Sequence, residues 1–157
     1  MSIRDVIQDC KMCPLFSNMQ ISPIAPEIFG ENPKVLFVCG LLPNKENDVS
    51  QEVLMGANRV ILQKLCKELS INYAITLLIK CVNNVSYKKN DFKTCSTHVP
   101  REYSALGVKR IIGFGKNVQN YVRCDHYFES INVVLNNKKK LTQLKACLEK
   151  VKNDFPQ

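Results

Sequence analysis

No stretch of these 157 residues is apolar for long enough to cross a bilayer. The first ten, MSIRDVIQDC, have neither the apolar run nor the small-residue cleavage site of a secretory signal. The expected compartment is therefore the cytosol, with no membrane partner. Internal repeats and low-complexity tracts are missing. So are a P-loop, an HExxH pair and any Ser–His–Asp set, which removes the commonest nucleotide-hydrolase, zinc-peptidase and serine-hydrolase readings. Acidic residues are scarce as well. Fourteen Asp and Glu face 22 Lys and Arg, leaving a net charge of +8.

What is present fits one domain over 1–157 with one packed core, since 45% of the residues are apolar. The basic balance suits a polyanionic partner, nucleic acid first, although an incidentally basic protein has the same charge. Eight cysteines in a reducing compartment are poor candidates for structural disulfides. They serve there as buried small residues, reactive thiols or metal ligands.

The pattern along the chain is α/β. Residues 14–33 read as a loop, broken by Pro14, Pro23, Pro26, Gly30 and Pro33. Buried strands are predicted at 34–39, 74–79, 109–114 and 131–135. Helices are predicted at about 51–69, 91–106, 116–123 and 139–152, with Asp91 as a cap. Residues 40–50 and 82–90 read as loops. Strands alternating with helices imply a three-layer α/β/α fold around a central four-stranded parallel sheet. The working site of such a sheet lies at the carboxyl ends of its strands. Those ends fall at Gly40, Lys80–Cys81, Gly115 and Asn136.

Cys10-Lys-Met-Cys13 is a C-x2-C knuckle, a spacing that lets two thiolates grip one metal centre. Alone it reads equally as two incidental cysteines on a helical turn. Cys81, at the end of a strand, and Cys95, in the next helix, make a second pair. Four thiolates suit either Zn2+ or an iron–sulfur cluster, and ligand identity does not choose between them. Cys39, Cys66, Cys124 and Cys147 sit in strands and helices or beside them, and read as core or near-core residues.

The opening Cys10-Lys-Met-Cys13-Pro-Leu15, followed by a loop and KVLFVCG, resembles the family-four, iron–sulfur uracil-DNA glycosylases. That family runs from C-x2-C-x-L through a strand into GEAPG, an acidic pair, PFVGRAG, TN-x-x-KC, a further cysteine, a strand ending LG and a last strand into HP. In this chain the first motif glycine falls on Gly40, the proline on Pro43, the acid on Asp48 and the later glycine on Gly56. TLLIKC at 76–81 takes the TN-x-x-KC slot, IIGFGK at 111–116 the LG slot and VVLN at 133–136 the approach to HP. The resemblance spans nearly the whole chain and implies a 4Fe–4S cluster on Cys10, Cys13, Cys81 and Cys95.

The departures concern the chemistry. The catalytic-loop Glu of the family falls on Leu41, the aromatic that stacks on the flipped base on Leu54, and the Asn that reads its edge on Leu77. The His and Pro of the last motif fall on Asn136 and Asn137. Uracil excision needs a flipped and hydrogen-bonded base, a positioned water and stabilisation of developing charge. Leucine offers none of these, and loss of even one such donor typically lowers the rate about a hundredfold to a thousandfold. No catalytic residue is therefore expected. Gly40, Leu41, Pro43, Asp48, Leu54 and Leu77 are expected to outline a degenerate pocket. His98 reads as a helix-surface residue and His126 as an exposed loop residue.

Lysines take over at the predicted site rim. Asn136, Asn137, Lys138, Lys139 and Lys140 occupy the segment that the resemblance places in the duplex. Lys88 and Lys89 lie in the loop between the later cysteines, and Lys116 and Asn117 open a short helix whose free N–H groups can meet a phosphate. Together they form a candidate phosphate-binding rim. The leading expectation is an inactive glycosylase-like protein that binds DNA or assists replication, repair or transcription machinery. The alternatives are an active glycosylase using Asp48, and a protein-interaction module docking through Leu41, Leu42 and Leu54. The Lys/Asn/Ile-rich composition suggests an AT-rich genome such as that of a phage or low-GC bacterium; a phage product would act in its host's cytoplasm.

Overall fold

In a computed structural model of the chain, which describes residues 1–156, five strands build one mixed sheet: Glu27–Phe29 (β1), Val35–Cys39 (β2), Tyr73–Leu77 (β3), Arg110–Phe114 (β4) and His126–Phe128 (β5). The order across the sheet is β1-β3-β2-β4-β5. β2, β3, β4 and β5 are parallel, while β1 runs antiparallel along the outer edge of β3. Every residue of β2 and β3 is buried, as the unbroken apolar runs require when both faces are covered.

Eight helices complete the described chain: Ile3–Gln8 (α1), Lys45–Ser50 (α2), Gly56–Glu68 (α3), Lys89–Cys95 (α4), His98–Leu106 (α5), Lys116–Tyr121 (α6), Ile131–Leu135 (α7) and Lys138–Asp154 (α8). Alternate strand residues supply two cores. Val35, Phe37, Cys39, Ile75 and Leu77 pack with residues of α3, α7 and α8. Leu36, Val38 and Ala74 pack on the other face with Val99 of α5 and Val118 of α6. The first core carries an aromatic row that crosses all five strands, from Phe29 through Tyr73, Phe37 and Phe114 to Phe128. Successive ring centroids are 4.7, 5.4, 5.8 and 5.8 Å apart. Gly113 is required on the opposite face, where a Cβ would lie 2.7 Å from Val118 and 2.8 Å from the Cys124 sulfur. None of the described helices is long and apolar enough to cross a membrane.

The structure corrects the sequence expectation in four places. The sheet has five strands and is not wholly parallel, because Glu27–Phe29, inside the expected loop 14–33, pairs at the edge. The expected strand 131–135 is a helix, and the fourth parallel strand is His126–Phe128. Ile131, Val134 and Leu135 are buried while Asn132 and Val133 are exposed, which is the i, i+3, i+4 spacing of a helix despite the β-branched composition. The expected helix 51–69 is shorter, starting at Gly56, and a separate α2 precedes it, ended by Gln51 at φ 57°. The expected helix 91–106 is broken at Ser96–Thr97. Pro100 explains that break: its ring conflicts with the carbonyl four residues back, at Ser96, and is tolerated only in the first turn of a new helix.

The chain leaves β2 for β3 on one side and later enters β4 on the other. Strand order therefore reverses between the carboxyl ends of β2 and β4, the usual place for a ligand crevice. Gly40 and Gly115 meet there. The Gly40 N–H donates to the Phe114 carbonyl at 2.9 Å, and a Cβ on Gly115 would lie 3.8 Å from the Gly40 Cα.

Candidate functional site

The C-x2-C pair lies between α1 and a 3₁₀ turn, Pro14–Asn18. A Ser2–Asp5 capping box starts α1, Ile7 anchors it in full burial, and it packs against α5. Cys81 lies just past β3, and Cys95 is the last residue of α4. Three separate segments thus bring Cys10, Cys13, Cys81 and Cys95 to the wall of one pocket, together with Ile79, Lys80 and His98. All eight cysteines are free thiols. Cys39 and Cys66 are buried, and Cys124 and Cys147 pack partly buried against the two cores, as expected of them.

Burial pushes the Cys81 thiol well above its ordinary value, and the neighbouring Cys95, Cys13 and Cys10 add to the shift by like-charge repulsion. Burial also raises Cys95, to about 11, while the Lys80 ammonium and the Lys80 N–H, 3.3 Å from its sulfur, pull the other way. Ionising four thiols together in so confined a place would require a cationic centre to balance them. Among the described residues, no group of three or more His, Cys, Asp or Glu is arranged to hold a metal ion. A single tetrahedral ion with 2.3 Å bonds would need its sulfurs about 3.8 Å apart. These thiols share a pocket without converging on one such point. The donor set, four thiols and no carboxylate, is of a ligand type that both zinc and iron–sulfur centres use.

His98, expected on a helix surface, is buried at 1% exposure. Its Nε2 is 3.2 Å from the Cys10 sulfur. Its Nδ1 is the buried side-chain nitrogen or oxygen left without a hydrogen-bond partner among the described residues. Burial, helped by Lys80 and Arg101, lowers its pKa to about 4, so the ring is neutral near pH 7. The surface position expected of it neglected α1, which covers this part of α5. His126, expected in an exposed loop, is a half-buried residue of β5.

Lys80, beside the cysteines, is almost fully buried and ion-paired. Its Nζ lies 2.9 Å from Glu102 of α5 and 2.6 Å from the Thr76 hydroxyl, and it also donates to the Leu77 carbonyl. Thr76 donates to the other Glu102 oxygen at 2.6 Å. This network joins the end of β3 to α5 and so fixes the segments carrying Cys81 and His98. The sequence hinted at it only through a charged residue within an apolar strand end.

The degenerate pocket is filled. Leu54 and Leu77 are 4% and 1% exposed, and both belong to the first core, with Leu41 packed partly buried against it. Pro43 is buried and Gly40 is half-buried at the crevice. The expected apolar docking patch therefore shrinks to Leu42, the exposed member of its three leucines. Asp48 is 3% exposed, and its two carboxylate oxygens accept from the Gln20 and Ile21 N–H groups at 2.5 and 3.0 Å. It latches the segment after the 3₁₀ turn onto α2.

The basic rim is partly committed to structure. Asn137 caps α8 by accepting from the Lys140 N–H at 3.1 Å. Asn136 donates to Asn58 at 2.9 Å and to the Asn132 carbonyl at 2.7 Å, and Asn58 donates back to Asn132. Lys140 pairs with Glu129 at 2.7 Å. Lys138, Lys139, Lys88, Lys89 and Lys116 are exposed, and Asn117 is half-buried. Phe155, past the end of α8, lines a cavity with Lys34 at the amino end of β2, so α8 begins at the opposite end of the sheet, the end of the cysteines and leucines. Lys116 follows β4 directly, and α6 has six residues. No family model matches the chain, and no curated protein matches it.

Proposed function

We propose that this chain is a uracil-DNA glycosylase-like protein of the iron–sulfur, family-four type. In this reading it has lost its catalytic groups and acts as a DNA-binding or accessory factor in replication, repair or transcription. One observation carries the proposal: four thiols from three separate segments line one pocket beyond the carboxyl end of β3 in the mixed sheet. Cys10, Cys13, Cys81 and Cys95 would hold a 4Fe–4S cluster, which would tie the amino-terminal segment to β3 and α4 as a structural staple. The loss of chemistry is supported by leucine packing at positions 41, 54 and 77 and by the engaged carboxylate of Asp48. Binding of DNA is supported by the exposed lysines at 88, 89, 116, 138 and 139.

The test is anaerobic purification followed by iron, sulfide and zinc analysis and a visible spectrum. Broad absorbance near about 400 nm with matching iron and sulfide is expected of thiolate-bound iron–sulfur. A folded, colourless protein without iron would overturn the metal half. Incubation with uracil-containing duplex is expected to give a salt-sensitive gel shift and no abasic sites. Robust base release would overturn the loss of chemistry.

A further inference from the structure

Cys10 is half-buried, as are Cys13 and Cys95. It follows the short α1, and its backbone N–H donates to the Ile7 carbonyl at 3.0 Å. Among the described residues its sulfur has one directional partner, the Nε2 of His98, contributed from 88 residues away. The imidazole has no freedom to point elsewhere, being buried at the first position of α5. The ring can be protonated on either nitrogen. A proton on Nδ1 would be a buried donor facing no acceptor, because that atom is unpartnered. A proton on Nε2 points along the 3.2 Å contact to sulfur. The favoured tautomer therefore carries its hydrogen toward Cys10.

We propose that His98 is a positioning residue of the metal centre, donating an Nε2–H hydrogen bond to the Cys10 thiolate. This inference rests on the cluster reading above. It adds a residue that is not itself one of the four thiol ligands. A hydrogen bond to a ligand sulfur withdraws electron density from it and favours the more reduced, more negatively charged cluster. The donor also fixes the sulfur that follows α1.

The test uses the purified, cluster-loaded full-length protein and two variants. His98→Phe keeps the ring volume and removes the donor, and His98→Gln keeps an N–H donor. With iron content equal to wild type, redox titration is expected to give a more negative midpoint potential for H98F. For H98Q, part of that shift should be recovered. An unchanged potential in iron-replete H98F would overturn the assignment. A second measurement stands on the wild type alone, so a variant that misfolds cannot shield the idea. With 15N-labelled histidine, pulsed electron paramagnetic resonance of the reduced cluster is expected to show one weakly coupled nitrogen. No coupled nitrogen would overturn the hydrogen bond, and a strongly coupled one would replace it with direct ligation. Wild type without iron would instead sink the cluster reading, and with it this assignment.

Discussion

Two corners at the same end of the sheet have met opposite fates. At the cysteine corner, polar and ionisable groups persist in burial, and each is placed against a partner: Lys80 on Glu102, Thr76 on Glu102, His98 on Cys10. At the crevice corner, the positions that the resemblance aligns with a carboxylate, an aromatic and an amide hold Leu41, Leu54 and Leu77, which pack in or against the core. Maintaining buried charge is costly, whereas packing leucine is favourable by about 1.5–3 kcal/mol per side chain. One corner thus keeps buried charge in paired contacts, and the other is filled by apolar packing.

The comparison is broken most severely at the thiols. Cys81→Ser should lower bound iron by about tenfold or more and reduce the melting temperature with it, because metal affinity and folding are coupled. Cys147→Ser, outside the pocket, should leave iron content unchanged. Metal analysis and thermal melts of both variants read the difference. Next in size is the buried ion pair. Glu102→Ala leaves the Lys80 ammonium buried without its counter-charge and should destabilise the protein by about 3–5 kcal/mol in denaturant unfolding. Lys80→Met with Glu102→Leu should recover most of that loss; a double variant as unstable as the single would argue against an electrostatic cause.

At the crevice corner the effects are smaller. Asp48→Ala removes the acceptor of two backbone N–H groups and should lower stability by about 1–3 kcal/mol. If Asp48→Asn instead abolished a measurable base-releasing activity without loss of stability, the crevice would have to be counted as functional. The smallest effects belong to the rim. Lys138→Ala and Lys139→Ala should each reduce the slope of log affinity against log salt by about 1. Lys140→Ala should do less, since Glu129 already neutralises it at 2.7 Å. Fluorescence anisotropy with a short duplex over a salt series separates the three.

The sequence was most legible where burial is two-sided or strongly periodic. Val35–Cys39, Tyr73–Leu77, Arg110–Phe114 and the long α8 follow their apolar patterns closely. The two outer strands were hidden because three residues with half-buried ends leave no alternation to detect. Ile131–Leu135 was misread because three of its five residues favour strands by type, while the spacing of the buried ones is helical. Of the site, the chain order of the cysteines anticipated their shared pocket, while the core packing of the crevice leucines followed from their apolar character. His98 was not readable, since its burial depends on a segment 88 residues earlier folding over it. Nor was the withdrawal of Asn136, Asn137 and Lys140 into local hydrogen bonds, which depends on Asn58, on the start of α8 and on Glu129.

The two outer strands have a further consequence. β1 and β5 span three residues each, and the β1 margin is also clamped by Glu27, which accepts from the Val53 N–H and pairs with Arg59 at 2.8 Å. So short a margin offers an incoming polypeptide very few free backbone groups to zip onto. Recruitment of a partner chain by β-augmentation is thus disfavoured on both sides. Contact through side chains on loops and helices is favoured instead, a mode that point substitutions can dissect one residue at a time.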